Sequence, residues 1–131
     1  KVARPIDPAR PLYLELRSTR ARGQWRMDLP AHQRLIARVA KDLASKNRVR
    51  LLSLANSGER LHLLLRVSQR RAFQSFLRAF SGVVAMGVTG AKKGGALSGV
   101  GFWSGLAYSR VVQTDEDLER LQTSVFSGFP R

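Results

Sequence analysis

Glu59-Arg60-Leu61-His62-Leu63-Leu64-Leu65-Arg66-Val67 is the stretch on which the reading of this chain turns. Leu61, Leu63, Leu65 and Val67 fall on one side of an extended backbone, and Arg60, His62, Leu64 and Arg66 on the other. Period-two alternation is what a strand with one buried face requires. With the leucine side against a core, two guanidinium groups and an imidazole line up on the opposite face. Cations so close repel one another unless an anion lies over them, and a phosphate backbone or an acidic partner supplies one.

The elements on either side extend the pattern. Upstream, Val49 to Ala55 is a second apolar run, and Asn56-Ser57-Gly58 between the two is a turn signal, so the pair reads as a hairpin. Further back, Pro11 to Ser18 alternates again, with Leu12, Leu14 and Leu16 on one side and Tyr13, Glu15 and Arg17 on the other. Residues 19–28 form a basic loop in which Trp25 either stacks on a base or, the commoner use, pins the loop to the core. Pro30 opens a helix to about Asn47, buried along Leu35, Ile36, Val39 and Leu43. His32, in its first turn, reads as a half-buried structural histidine.

Downstream of the hairpin, Ser68 is the expected cap of a second helix. Its buried stripe is Phe73, Phe76, Leu77, Phe80 and Val84, and its outer side carries Arg70, Arg71 and Arg78. Residues 87–101 are glycine-rich, with Lys92 and Lys93 in the middle, and read as a mobile basic loop. No Gly-Lys-Ser or Gly-Lys-Thr follows these glycines, so a phosphate-loop nucleotide site is excluded. Phe102 and Trp103 precede a fourth strand over Leu106 to Gln113. Thr114 then caps a last helix, with Asp115, Glu116 and Asp117 at the positive end of its dipole.

Strand, helix, strand, strand, helix, strand, helix is an α+β order. Its first six elements make the ferredoxin-like split β-α-β fold, βαββαβ, with an extra C-terminal helix. That fold is a four-stranded antiparallel sheet with two helices on one face. The expectation is therefore that the other face stays open and collects Tyr13, Arg17, Arg60, His62 and Arg66. Residues 1–10 read as a basic arm and residues 11–131 as one domain.

Composition narrows the function. The net charge is +14, from 23 Lys and Arg against 9 Asp and Glu. The acids concentrate late: Asp115, Glu116, Asp117 and Glu119 face only Arg120 and Arg131 within residues 114–131. The body of the chain is thus more basic than the total, which points to nucleic acid first and other polyanions second. There is no cysteine, which excludes disulfides and thiolate metal sites and fits a cytoplasmic protein. No apolar run is long enough to cross a bilayer.

The chain resembles the single-strand tyrosine transposases of the HUH endonuclease superfamily, in the branch linked to repetitive extragenic palindromes of bacterial mobile elements. The resemblance spans roughly residues 11–127. It rests on Leu61-His62-Leu63-Leu64-Leu65, on the phenylalanine-rich second helix, and on Gly101-Phe102-Trp103 followed by Tyr108-Ser109-Arg110-Val111-Val112. The resemblance implies a metal held by two histidines flanking one hydrophobic residue, a nucleophilic tyrosine on the last helix, and a third ligand one turn later. At those positions this chain has Arg60 with His62, a nucleophile position near Ser124, and a third-ligand position near Gly128.

The resemblance therefore implies the scaffold and a DNA substrate, single-stranded or hairpin-shaped, while the motif positions argue for lost cleavage, with no metal and no cofactor. It puts Arg17, Arg60, His62, Arg66, Arg70, Arg71, Lys92, Lys93, Trp103 and Arg110 near nucleic acid, DNA before RNA, with a homodimer or a larger assembly as further partners. Two alternatives stand beside it: an active nickase with a non-standard nucleophile, and a ferredoxin-like module that binds an acidic protein.

Overall fold

Residues 5–90 and 101–127 are described by the computed structural model. Lys92, Lys93 and Gly128 lie outside them. Four strands, β1 (Leu12–Arg17), β2 (Arg50–Asn56), β3 (Arg60–Arg66) and β4 (Tyr108–Val111), form one sheet in the order β2-β3-β1-β4. Every pairing is antiparallel. With α1 (Pro30–Lys46), α2 (Arg70–Thr89) and α3 (Asp115–Ser124), this is the expected α+β ferredoxin-like arrangement with an added C-terminal helix.

The alternation read from β3 is real. Leu61, Leu63 and Leu65 are fully buried and join Leu12, Leu14 and Leu16 of β1 in one cluster. Onto that cluster α1 sets Ile36, Val39, Ala40 and Ala44, and α2 sets Phe73, Phe76, Phe80, Val84, Ala85 and Val88. Residues three and four apart on a helix share a face, so these sequences could bury only this side. Trp25 packs against the same core, edge-on to Phe102 at 6.5 Å, and so pins its loop as expected. His32 donates from Nδ1 to the Arg26 carbonyl at 2.7 Å, a structural role.

Three expectations about element ends need correction. The residue capping α2 is Gln69, in extended conformation and without a side-chain cap, so Ser68 is not the cap. The glycine-rich stretch does not begin at residue 87: α2 continues through Gly87 to Thr89 and ends on Gly90 at φ 75°. A glycine in the left-handed region is a common helix terminator. A Cβ at Gly87 would lie 2.3 Å from Leu35 Cδ2, so the bare backbone of this helical glycine leaves room for α1. The fourth strand is shorter than expected, covering Tyr108–Val111 only.

The largest correction concerns the second face of the sheet. It is not open throughout. Leu64, on the polar side of β3, is 1% exposed and belongs to a second cluster with Tyr13, Val112, Leu121 and Phe126. Leu118 and Val125 pack against it from α3 and the residues just after it, and Leu52 and Ala55 from β2. The physical reason is Leu64 itself, an apolar side chain at the sheet centre that water would otherwise cover. A β-bulge between Leu51 and Ser53 inserts Leu52 and turns it toward this same cluster.

This double burial predicts that Leu64→Ala costs about 2–5 kcal/mol, as Leu63→Ala on the helix face does. A sheet bare on this side would give a change within about 0.5 kcal/mol. Urea unfolding midpoints of the two variants decide between these outcomes.

Candidate nucleic-acid interface

Strand register places the polar side chains of the second face in rows. Glu15 lies opposite both Tyr108 on β4 and His62 on β3. The next row toward the β1 C-terminus is Arg17 opposite Arg60. On the other side, Tyr13 lies opposite Arg110 and Leu64, and beyond it Arg66 lies opposite Arg50. The α3 cover sits over Tyr13 and Leu64, which leaves the Arg17–Arg60 end and the Arg50–Arg66 end uncovered.

The centre is a hydrogen-bonded group. Tyr13 gives its one phenolic hydrogen to Glu15 Oε1 at 2.8 Å, and its oxygen accepts from His62 Nδ1–H at 2.8 Å. That arrangement fixes the tautomer and leaves His62 Nε2 as the lone-pair nitrogen. Arg60 Nη1 meets the other Glu15 oxygen at 3.2 Å. Burial lowers the His62 pKa, aided by the Arg60 charge and opposed by the Glu15 carboxylate. Burial also raises the Tyr13 pKa, with the Glu15 hydrogen bond and charge adding to it. The phenol therefore stays protonated and the imidazole neutral at pH 7.

A second polar link ties α3 down. Arg110 forms a two-toothed pair with Asp117, and its guanidinium carbon stands 5.4 Å over the Tyr13 ring. Thr114 caps α3 as expected, accepting from the Asp117 backbone N–H at 3.1 Å. Arg10 donates from Nε to the Val112 carbonyl at 2.9 Å and pairs with Asp115 at 3.1 Å. The last residue of the expected arm is thus bound to the start of α3.

The expected site residues separate into groups. Arg17, Arg60, His62, Arg66 and Arg110 share the second face. Arg66 touches the Ala9 carbonyl at 3.4 Å, and among the described residues Arg17 and Arg50 make no ion pair. Arg70 and Arg71 are exposed at the start of α2, off the face. Trp103 is on the wrong side of the sheet for that group: it packs against the helix-side core and donates from Nε1 to the Ser81 carbonyl of α2 at 2.9 Å. An indole N–H in a half-buried position takes the nearest acceptor, and here that is a helix carbonyl.

Ser124, near which the resemblance implies the nucleophile position, turns its hydroxyl back to the Arg120 carbonyl at 2.7 Å. Among the described residues no three His, Cys, Asp or Glu side chains gather as a metal set would. A cleft of about 430 Å³ lies elsewhere, between α1, β2 and Val125–Phe126, and no titratable side chain lines it. Residues that sequence reasoning did not place in the site are Glu15, Tyr108, Asp117 and Arg50. Alternation already put Tyr13 and Glu15 on this face, but which residues they oppose is a matter of register.

Two solved structures share this architecture. One is a tyrosine transposase associated with REP sequences, bound to a REP hairpin, with a TM-score of 0.61 and 9% identity over 92% of this chain. The other is a protein from Deinococcus radiodurans R1 assigned as a transposase, with a TM-score of 0.57 and 17% identity over 86% of this chain and 85% of its own. The fold is transposase-like. At the level of fold, this agrees with the resemblance to HUH-superfamily transposases. The chain spans 66% of the length of the REP-associated protein. No family model and no curated protein matches the sequence.

The Arg110–Asp117 link carries a pH signature. Its hydrogen bond from Arg110 is the main reason that the Asp117 pKa lies below the ordinary 3.8. A carboxylate lowered in the folded state adds stability that is complete above its unfolded value and is lost as pH falls through the folded one. Stability measured by urea from about pH 5 to about pH 2 should therefore drop more steeply in the parent protein than in Asp117→Asn. Asp28, lowered by Arg26, titrates in both proteins, so the difference between the curves isolates Asp117.

Proposed function

We propose that this chain is a transposase-like domain that binds DNA, single-stranded or in hairpin form, and does not cleave it. The observation that carries the reading is the pairing of like charges across strands: Arg17 directly opposite Arg60, and Arg50 directly opposite Arg66. Directly opposed like charges destabilise a sheet. Two such pairs on the uncovered ends of one face, in a chain of net charge +14, suit a surface that meets a polyanion. The hairpin in the REP-associated relative gives the substrate class by analogy.

The loss of cleavage rests on residue chemistry. Arg60 has no lone pair to give a metal, and its guanidinium is taken up by Glu15. His62 offers Nε2 alone. Ser124 has no base beside it among the residues that hydrogen-bond to it.

A second reading has one observation in its favour. Tyr13 Oη lies 2.8 Å from His62 Nδ1, a spacing suited to a nucleophile and its base. Against it stand the tautomer that keeps the His62 proton on Nδ1, the raised Tyr13 pKa and a ring only 6% exposed under Phe126. Incubation of labelled hairpin and single-stranded DNA with Mg²⁺ or Mn²⁺ tests both readings at once. Uncleaved DNA with no covalent adduct is the expected result, and an adduct lost in Tyr13→Phe establishes the second reading.

Binding itself is tested by fluorescence anisotropy across a salt series. The affinity should fall linearly in log–log form, and Arg17→Ala and Arg66→Ala should each lower the slope by about 1. Both side chains are exposed, so unfolding should move by no more than about 0.5 kcal/mol. If neither DNA nor RNA binds at low salt, an acidic protein becomes the better partner for this face.

A further inference from the structure

The sheet face leaves one aromatic ring unused. Tyr108 is 54% exposed at the start of β4, and Leu106, two residues earlier, is 84% exposed. Large apolar side chains exposed together and next to cations call for an occupant. Register fixes where this ring stands. Tyr108 is opposite Glu15, one row from Arg17 and Arg60, on the side of the sheet that carries His62. Its edge meets the Tyr13 ring at 6.3 Å and 67°, and Tyr13 in turn stacks with His62 at 6.2 Å and 24°. The inner two rings are held by hydrogen bonds and by Phe126, so Tyr108 rests on a fixed support and presents the remainder of its surface to solvent.

Two features select the occupant. The first is charge: Arg17 lies diagonally across from the ring on the adjacent strand β1, Arg60 lies one strand further on, and Arg17 has no ion-pair partner among the described residues. The second is the pattern of coverage. Phe126 and Leu121 shield Tyr13 and Leu64, yet the α3 cover stops short of Tyr108. A flat, supported aromatic surface near the unneutralised guanidinium of Arg17 suits a planar ring attached to a phosphate chain.

We propose that Tyr108 is a stacking platform for an unpaired nucleobase, with Arg17 holding a phosphate of the same strand. The inference rests on the nucleic-acid reading and adds to it a preference for unpaired over paired bases. A duplex keeps its base faces stacked on one another, so the Tyr108 ring gains contact only from a base that is free of its pair.

The test compares Tyr108→Ala, Tyr108→Phe and Arg17→Ala on a fluorescein-labelled single strand and on the duplex of the same sequence. Stacking contributes about 1–3 kcal/mol per base, so Tyr108→Ala should weaken single-strand binding roughly 5- to 150-fold. It should leave duplex binding and the salt slope unchanged, while Tyr108→Phe binds as the parent does because the hydroxyl takes no part. Single-strand probes carrying 2-aminopurine at successive positions should show quenching at one position, lost in Tyr108→Ala. Unchanged single-strand affinity in Tyr108→Ala, with Arg17→Ala weakened, overturns the platform and leaves the charge-based reading standing. Equal losses on single strand and duplex also overturn it. If the parent protein binds neither probe, both inferences fall together.

Discussion

Leu64 sets the terms for the rest of the molecule. It is the one apolar residue on the polar side of β3, at the centre of the sheet, and it is 1% exposed. Burying a leucine is worth about 1.5–3 kcal/mol relative to leaving it in water. Nothing on α1 or α2 can reach it, because both helices lie across the opposite face. The chain supplies Leu118, Leu121, Val125 and Phe126 after β4, and these close over Leu64 and Tyr13. Coverage of the middle therefore leaves uncovered the ends of the face, where arginines sit, and Tyr108 on the β4 side.

Electrostatics then decide how α3 is held. Its acids are grouped in its first turn, where the helix dipole favours them. Two of them also meet cations of the body: Asp117 meets Arg110 and Asp115 meets Arg10. Asp117 is far less exposed than Asp115, 19% against 93%, so the Arg110 pair is the better shielded and the more consequential. The concentration of acid late in the sequence, in a chain otherwise strongly basic, has a structural use: it clamps the covering helix to a cationic sheet.

Much of this was legible from residues. Alternation in β1 and β3 identified both faces correctly, since a strand has only two sides and the leucines chose one. The stripes of α1 and α2, the Gly58 turn and the Thr114 cap follow from equally local rules. What was not legible depends on contacts between distant segments. Leu64 stood among polar neighbours in the pattern, but the segment that covers it lies some fifty residues away. Trp103 looked available beside a basic loop, yet its N–H is bonded to Ser81 on α2. Gly87 read as the start of a loop because a glycine lowers helix propensity, and only the nearness of Leu35 explains why a glycine stands inside this helix.

The centre of the face also shows what Arg60, at the position where the resemblance implies a metal ligand, does to its surroundings. A divalent ion would be held by lone pairs and would bring two positive charges. Arg60 brings one, cannot coordinate, and is met at once by Glu15, which also accepts the Tyr13 phenol hydrogen. His62, half-buried next to that cation, has its pKa pushed down and stays neutral. The centre is thus close to charge-balanced, and the unneutralised positive charge lies at the rim, on Arg17, Arg50 and Arg66. Attraction for phosphate is consequently strongest around the edge of the face, while its interior offers rings and hydrogen-bonding groups. On the proposed nucleic-acid reading, such a division suits a strand held by its backbone at the rim, with a base able to reach the exposed Tyr108 ring beside the covered centre.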